Sequence, residues 1–590
     1  MRKTTSGHTK NKALSPSLGG HWRIHALVFF VLMLAFGILT RLYVLQVRDH
    51  GKYVAMADNQ HNLAESIDPE RGEIYLEDSP NFYPLAVNRQ SSLVYAVPKD
   101  IQNIDEVSMK LSSILQMDAH DIAEKLKDKD DPFEIMKHRL TDEEVARVKE
   151  ANLKGIHLLP ETYRYYPGSE LASQVVGFVG YRDDKVRGQY GVEASLEDRL
   201  RGHAGTVTQE KDAGGRWIPF SDRDSQPAED GESLVLTINR EIQYEVEKTL
   251  KETVDDQGAD GGTAIVMEPR TGKILAMASM PEFDPNEYAK ADTSLFMNPA
   301  VSLPYEPGSI MKPITMAIGL EEGKVNPDTT YVDTGAVQEA GFTIHNAEDK
   351  VYGQRTMTQV LEESINTGMI YVERLVGNKT FADYMRRFGF GEKTGVALPA
   401  ELGGNMHNLD NLKANIQFFT ASFGQGVTAT PLQMVSAYAA LANGGALMKP
   451  QILDKVIHAD GQVEDVAPEE MQRVISEETS RKIGIMLRSV VVNGHGKRAD
   501  VPGYLVGGKT GTAQIAKKGG GGYEEGQAIG SFVGYAPLND PKFVVLVKVV
   551  NPKGVQWAES SAAPAFGKIM KFLLEYAKVQ PTEPIKNSTK

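Results

Sequence analysis

No cysteine occurs anywhere in the 590 residues, which excludes disulfides and thiolate metal sites. Positive charge is not in excess either: 64 Lys and Arg face 78 Asp and Glu, and the formal charge of −14 argues against a general nucleic-acid binder. No internal repeat is present, and no histidine follows a nucleophile-elbow pattern, so a Ser-His-Asp triad has little support. Long apolar runs are almost wanting as well. What remains is an ordinary composition, 41% hydrophobic and 24% charged, on a chain long enough for two or more cores.

The one long apolar run is IHALVFFVLMLAFGILT, seventeen uncharged residues between Arg23 and Arg41. A bilayer needs about 17–25 such residues, and Leu42-Tyr43-Val44-Leu45 lengthen the run if Arg41 snorkels to a headgroup. Arg2, Lys3, Lys10, Lys12 and Arg23 precede it, and no acidic residue occurs before Asp49. Positive charge on the leading side predicts a cytoplasmic N-terminus and an external location for everything after residue 46. No small-x-small cleavage site follows, so the segment reads as an uncleaved anchor.

Residues Gly503 to Thr510, GYLVGGKT, fit the P-loop pattern letter for letter. A P-loop needs a buried strand before its first glycine and a helix at its Lys-Thr. Here Tyr504, Leu505 and Val506 sit inside the would-be loop, and GTAQIAKKGGGGYEEG follows, which cannot stay helical. The stretch reads instead as a strand, a glycine-rich loop and a second strand, IGSFVGYAP.

Other segments have clear periods. IDEVSMKLSSILQMDAHDIAEKLKD has helical spacing, and TDEEVARVKEA opens with a Thr-x-x-Glu capping box. SLVLTI is a predicted strand; REIQYEVEKTLKETV is a predicted helix with Ile242, Val246, Leu250 and Val254 on one face. GGTAIVMEPRTGKILAMASMP reads as a hairpin about Pro269-Arg270-Thr271-Gly272. A mostly helical middle is expected from about 305 to 490, then strands at YLVGGKTGTAQI, IGSFVGYAP and KFVVLVKVV, and a final helix in SAAPAFGKIMKFLLEYAK. Strands at both ends with helices between imply an α+β domain, one antiparallel sheet covered by helices.

Three short patterns carry chemistry in order: Ser309-x-x-Lys312, Ser364-x-Asn366 and Lys509-Thr510-Gly511. Each is weak alone, as second copies at Ser79-Pro80-Asn81 and Lys393-Thr394-Gly395 show; only Ser-x-x-Lys is single. Ser309 follows Pro-Gly at an expected helix start, where a helix dipole favours developing negative charge. Lys312, one turn on, lies on the same face. A lysine becomes a base only when burial or a second cation lowers its pKa, and Lys509 is a candidate for that cation. A Ser-Lys pair then needs no histidine. The second copy, Lys393, follows a helix expected to end near Phe388 and reads as a surface residue with a C-terminal capping role.

These motifs, with the flanks YEPGSIMKP, SFGQGVTATPLQM, GGKTGTAQ and SFVGYAP and the earlier pieces PERGEIY and GQYGVEASLEDRLRGHAG, make the chain resemble the class B, monofunctional penicillin-binding proteins, the D,D-transpeptidases of peptidoglycan synthesis. The resemblance runs over nearly the whole chain. It implies a cytoplasmic tail (1–22), an anchor (23–45), an elongated mixed α/β pedestal (46–235), a transpeptidase domain with a five-stranded antiparallel sheet (236–578) and a disordered tail (579–590), without C-terminal PASTA repeats. It implies that Ser309 attacks the penultimate D-alanine of a stem peptide and Lys312 takes its proton. Ser364 would relay a proton to the leaving D-alanine, and Asn366 would orient Lys312 and substrate. Lys509, Thr510 and Thr512, with Gly511 between them, would bind the terminal carboxylate, and the Ser309 and Thr512 N–H groups would form the oxyanion hole. An amine of a second stem peptide would resolve the acyl-enzyme. No metal or other cofactor is implied; β-lactams would acylate the same serine.

The resemblance places the catalytic part on the outer, periplasmic side of a bacterial cytoplasmic membrane, beside a SEDS-type glycosyltransferase and other division proteins. Asn366 in the second motif favours a septal role over lateral-wall elongation. A bifunctional class A enzyme, a β-lactam sensor and a non-enzymatic division scaffold fit less well, since the pedestal pieces and intact motifs would have no use there.

Overall fold

The computed structural model describes residues 21–50, 52, 62–78, 81–182, 185–210, 223–517, 522–554 and 557–582. The basic residues Arg2 to Lys12, the Ser79-Pro80 pair, residues 518–521 of the glycine-rich loop and the tail from 583 lie outside the described residues.

The chain forms two units, one from the described residues of Met1–Asp68 and His203–Ala228, the other from those of Pro69–Gly202 and Glu229–Lys590. In the first, the apolar run forms a helix, His21–Tyr43, continued by a π-helical turn, Val44–Arg48. Trp22–Arg48 is long and apolar enough to cross a membrane, and among the described residues it is the one helix that is. Strands Asn62–Ile67, Gly205–Glu210 and Arg223–Gln226 make a small antiparallel sheet in the same unit.

In the second unit a seven-stranded sheet draws on distant parts of the chain. Ser233–Asn239 pairs in parallel with Ile74–Asp78 and antiparallel with Leu453–Ile457. The helical pattern after Asn103 is realised as two helices, Ile104–Leu115 and Ala119–Lys125, because Gln116 turns left-handed (φ 57°) and the Asp118 side chain caps the second. The expected capping box at Thr141–Glu144 is formed.

The sheet that positions the site has five antiparallel strands. They are β1 (Gly261–Met267), β2 (Ile274–Met280), β3 (Gly507–Ala516), β4 (Tyr523–Ala536) and β5 (Phe543–Val550), in spatial order β2-β1-β5-β4-β3. Helices lie on both faces, so the strands read as almost continuous apolar runs, and only the two-residue alternation separates the layers. Val545, Val547 and Val549 pack with Ile242, Val246 and Leu250 of α1 (Arg240–Asp256) and with Phe566, Ile569 and Leu573 of the final helix, Ala562–Tyr576. Val544 and Leu546 face the other core, which holds α2 (Lys312–Glu321), α3 (Asn366–Val376) and α4 (Pro431–Ala442).

The middle of the chain is less helical than its composition predicts. Between α2 and α3 two small hairpins occur: Thr330–Asp333 with Gly353–Thr356, and Ala336–Glu339 with Phe342–His345. They are short and mostly solvent-facing, so no long alternating pattern announces them.

Candidate active site

The turn bearing Ser309 is built by close backbone approaches. Tyr305 and Ala429 exchange two backbone hydrogen bonds of 3.0 Å, and Gly308 N–H donates to Gly424 O at 3.0 Å. Gly308 has φ 57°, and a Cβ on Gly424 would stand 2.2 Å from the Gly308 carbonyl oxygen, so neither position tolerates a side chain. Glu306 accepts from Gly426 N–H at 2.9 Å and from the Tyr523 hydroxyl at 3.0 Å, while Tyr438 OH donates to Ile310 O at 2.8 Å.

Ser309 is not in the α-helix itself, as its position after Pro-Gly predicts, but in a 3₁₀ turn, Gly308–Met311, that feeds α2. The difference favours the pair: side chains three apart eclipse in a 3₁₀ turn, so Ser309 and Lys312 stand on the same side.

Lys312 is wholly buried. Its Nζ donates to the Ser364 carbonyl and to Asn366 Oδ1 at 2.8 Å and lies 3.1 Å from Ser364 Oγ, a set that a neutral amine meets with its two N–H bonds and by accepting from the Ser364 hydroxyl. No hydrogen bond joins it to the Ser309 hydroxyl. Ser364 is held left-handed at φ 55°, a conformation unusual outside glycine, two residues before the helix that Asn366 begins. The Asn366 amide nitrogen donates to His345 O at 3.1 Å.

Lys509, Thr510, Gly511 and Thr512 lie on β3, the edge strand, with no helix following as a P-loop would require. Lys509 is wholly buried, and its Nζ donates to Thr510 O at 3.1 Å and to Thr510 Oγ1 at 3.4 Å. Gly511 lets the strand lie against the nucleophile turn: a Cβ there would meet Ile310 Cγ2 and Ser531 Oγ at 2.8 Å and Pro307 O at 3.0 Å. Thr512 Oγ1 accepts from Ala558 N–H at 3.3 Å.

Burial, with the charge of Lys509 added, holds the Lys312 pKa well below the ordinary lysine range; burial alone lowers Lys509 to about 7. A third buried lysine, Lys548 on β5, is lowered to about 8 by burial and stands 4.8 Å over the Tyr305 ring. Among the described residues no group of three or more His, Asp or Glu is placed to hold a metal ion.

The structure therefore gathers Lys312, Ser364 and Asn366 through direct hydrogen bonds, and brings Ser309 and the β3 residues together through the contact of Gly511 with the nucleophile turn. The duplicate Lys-Thr-Gly is elsewhere. Lys393 is exposed and makes no hydrogen bond to any of the described residues; Glu401 accepts from Thr394 N–H and Gly395 N–H. The preceding helix is closed by Gly389 N–H to Arg386 O and Phe390 N–H to Met385 O, so the expected capping role of Lys393 is not seen, because backbone groups take it. Glu306, Gly424, Asp333 and Thr367 escaped the reading of the motifs, although Glu306, Gly424 and Thr367 each stand within the quoted flanks or next to a motif residue.

This geometry matches known proteins over both regions of the chain. Residues 262–571 match the penicillin binding protein transpeptidase domain, and residues 66–236 match the penicillin-binding protein dimerisation domain. Over 567 residues the chain is 35% identical to stage V sporulation protein D of Bacillus subtilis, covering 94% of this chain and 86% of that protein. It is 32% identical over 586 residues to penicillin-binding protein PbpB of Mycobacterium tuberculosis (94% and 85% covered) and 28% identical over 581 residues to the probable peptidoglycan D,D-transpeptidase PenA of Neisseria meningitidis (98% and 96%). The crystal structure of penicillin binding protein 3 from Mycobacterium tuberculosis complexed with aztreonam superposes with a TM-score of 0.68 at 28% identity, covering 88% of this chain and 99% of that one. Family, fold and the buried lysine beside a serine turn agree: the chain belongs to the class B penicillin-binding proteins and is a peptidoglycan D,D-transpeptidase.

Proposed function

We propose that Ser309 is the acylated nucleophile and that the surrounding residues divide the work as follows. Neutral Lys312 accepts the Ser309 proton as Oγ bonds to the carbonyl carbon of the penultimate D-alanine. The backbone N–H groups of Ser309 and Thr512 stabilise the oxyanion. The peptide C–N bond then breaks, and the proton passes from Lys312 through Ser364 Oγ to the departing D-alanine nitrogen. Asn366 orients Lys312 and the substrate backbone; Lys509, Thr510 and Thr512, with Gly511 giving close approach, receive the terminal carboxylate. The amine of a second stem peptide attacks the ester and gives its proton to Lys312, which passes it to Ser309 Oγ as the ester C–O bond breaks, leaving a cross-link, free Ser309 and neutral Lys312. β-Lactams open on the same serine.

The observation that carries this reading is the Lys312 amine, buried, hydrogen-bonded to Ser364 and Asn366, and one 3₁₀ turn from Ser309. A fluorescent penicillin is expected to label Ser309, seen by intact-mass and peptide analysis. Undiminished labelling of Ser309→Ala would overturn the assignment.

The apolar helix anchors the chain with its N-terminus in the cytoplasm and the rest outside, a reading supported by the basic residues before the span. External protease should digest everything after about residue 46. The enzyme acts in septal synthesis beside a SEDS-type glycosyltransferase and other division proteins; Asn366 supports septum over side wall. The similarity to a protein named for stage V of sporulation favours a second reading, cross-linking during spore formation. A fluorescent fusion separates these: a mid-cell band in growing cells supports division, side-wall patches elongation, and signal confined to sporulating cells the second reading.

A further inference from the structure

A buried carboxylate stands behind the second motif, and the reaction scheme does not use it. Asp333 ends the first strand of the outer hairpin between α2 and α3; it is 2% exposed, and Asn346 and Thr367, which it touches, are 4% exposed each. Asp333 Oδ1 accepts from Thr367 Oγ1 at 2.6 Å, from Asn346 Nδ2 at 3.0 Å and from Gly335 N–H at 3.1 Å. Its Oδ2 accepts from Tyr352 N–H at 2.7 Å and from Asn346 Nδ2 at 3.0 Å. Burial pushes its pKa up, but these donors together outweigh burial and hold it below the usual carboxylate range, so the group is ionised.

The network runs to the site through two adjacent pairs of residues. Asn346 Oδ1 accepts from Thr367 N–H at 3.1 Å, satisfying a donor in the first turn of α3 that has no partner within the helix. One residue earlier, the His345 carbonyl accepts from Asn366 Nδ2 at 3.1 Å. With its nitrogen so engaged, the Asn366 amide must turn its oxygen the other way, and that oxygen receives Lys312 Nζ at 2.8 Å. A flipped amide would set an NH₂ group against the lysine N–H bonds. The orientation of Asn366 is thus decided by where the His345–Asn346 segment lies, and Asp333 holds that segment.

We propose that Asp333 is a positioning residue of the transpeptidase: through Asn346 and Thr367 it fixes the His345 carbonyl and the start of α3, and so orients the Asn366 amide to accept from Lys312. The role rests on the reading of Lys312 and Asn366 given above. It differs from a purely structural role because what it sets is the direction of one amide, which bears on the acylation step more than on penicillin binding.

The test uses the full-length chain in detergent and measures penicillin acylation as a first-order constant and a pre-acylation dissociation constant. Asp333→Asn is expected to lower the first-order constant by about 10- to 100-fold while the dissociation constant changes far less. The double variant Asp333→Asn/Asn346→Asp returns a carboxylate to Thr367, since the side chain at 346 already accepts from Thr367 N–H; it is expected to recover most of the lost rate. Should Asp333→Asn unfold below the assay temperature, the isosteric Thr367→Val removes the same hydrogen bond and is expected to show the same loss. A first-order constant within about twofold of the parent in whichever single variant folds would overturn the proposal, as would a double variant that regains thermal stability but not rate. Ser309→Ala separates the two levels. If it is still acylated, the reading of the site fails; if it is inert while Asp333→Asn acylates normally, only the role of Asp333 fails.

Discussion

Lys509 shows most clearly how a side chain that damages the fold serves the site. It is wholly buried with no carboxylate partner among the described residues, and its pKa falls from 10.5 to about 7. Between those values the unfolded chain holds a proton that the folded chain has lost, so stability rises with pH across that window, by about 1.4 kcal/mol per pH unit for this group. Below pH 7 the full penalty of burying the charge is present, and above 10.5 it is gone. Lys509→Met is therefore expected to stabilise the protein at pH 7 and to lose that advantage towards pH 10, read as the difference between parent and variant melting curves. The same variant should acylate with penicillin orders of magnitude more slowly, because the anchor for the ligand carboxylate and the charge beside Lys312 are both removed. Lys393→Ala, at the exposed duplicate motif, should leave acylation unchanged and cost at most about 0.5 kcal/mol. Equal losses at the two lysines would mean that the wrong Lys-Thr-Gly has been assigned. The motif residues were legible because the chemistry demands their identities at short spacings. Asp333 was not, since its meaning comes from Thr367, thirty-four residues away in sequence and bonded through space.

At the scale of elements, strands and helices with long periods were legible, and the short hairpins before α3 were not. β1 and β2 form the expected hairpin, and α1 buries Ile242, Val246 and Leu250 with Val254 at the margin, because burial on one face imposes a period the sequence displays. The 3₁₀ turn at Ser309 has no such period; it follows from Gly308 and Gly424 sharing one small space. The contact of β3 with that turn can be tested directly. Gly511→Ala introduces a methyl 2.8 Å from Ile310 Cγ2 and Ser531 Oγ and 3.0 Å from Pro307 O, and a carbonyl cannot swing aside as a side chain can. The strand must then move away from the nucleophile turn. We expect about 1–3 kcal/mol of destabilisation from overpacking, and a fall in acylation of about 100-fold, since a shift near 1 Å misplaces the β3 groups relative to Ser309. A Gly511→Ala enzyme that melts lower but acylates at the parental rate would show that the close approach serves packing alone.

At the scale of the whole chain, the second unit is tied together by pairings that no local pattern could announce. Residue 236, where the sequence puts a domain boundary, lies inside the strand Ser233–Asn239, which joins Ile74–Asp78 to Leu453–Ile457. The pieces PERGEIY and GQYGVEASLEDRL, far apart in sequence, meet in a buried ionic cluster. Arg71 donates to Glu193 Oε2 through Nε at 2.9 Å and Nη2 at 2.6 Å, and lies 2.6 Å from Glu197; Arg164 Nε donates to Glu193 Oε1 at 2.7 Å. Glu193 is fully buried; burial raises its pKa, but the Arg164 and Arg71 guanidiniums outweigh that and hold it below the usual carboxylate range. Two guanidiniums share this one carboxylate; Arg71 also has Glu197, whereas Arg164 has only Asn88 Oδ1 at 2.9 Å besides, and its Nη2 lacks a partner among the described residues. Glu193→Ala should therefore leave Arg164 a poorly paired buried cation and destabilise this region by about 3–5 kcal/mol, more than the attraction alone would suggest, because the desolvation of that arginine is no longer offset. Glu193→Gln keeps the shape but not the charge and should fall between parent and Ala. The cluster contains none of the residues that act at Ser309, so the fraction that remains folded should acylate with penicillin at the parental rate. Thermal unfolding of the detergent-solubilised chain, followed by acylation kinetics below the melting temperature, checks both parts: parental stability in Glu193→Ala would refute the electrostatic account, and slowed acylation in folded protein would show that the cluster acts on the site as well as on the fold.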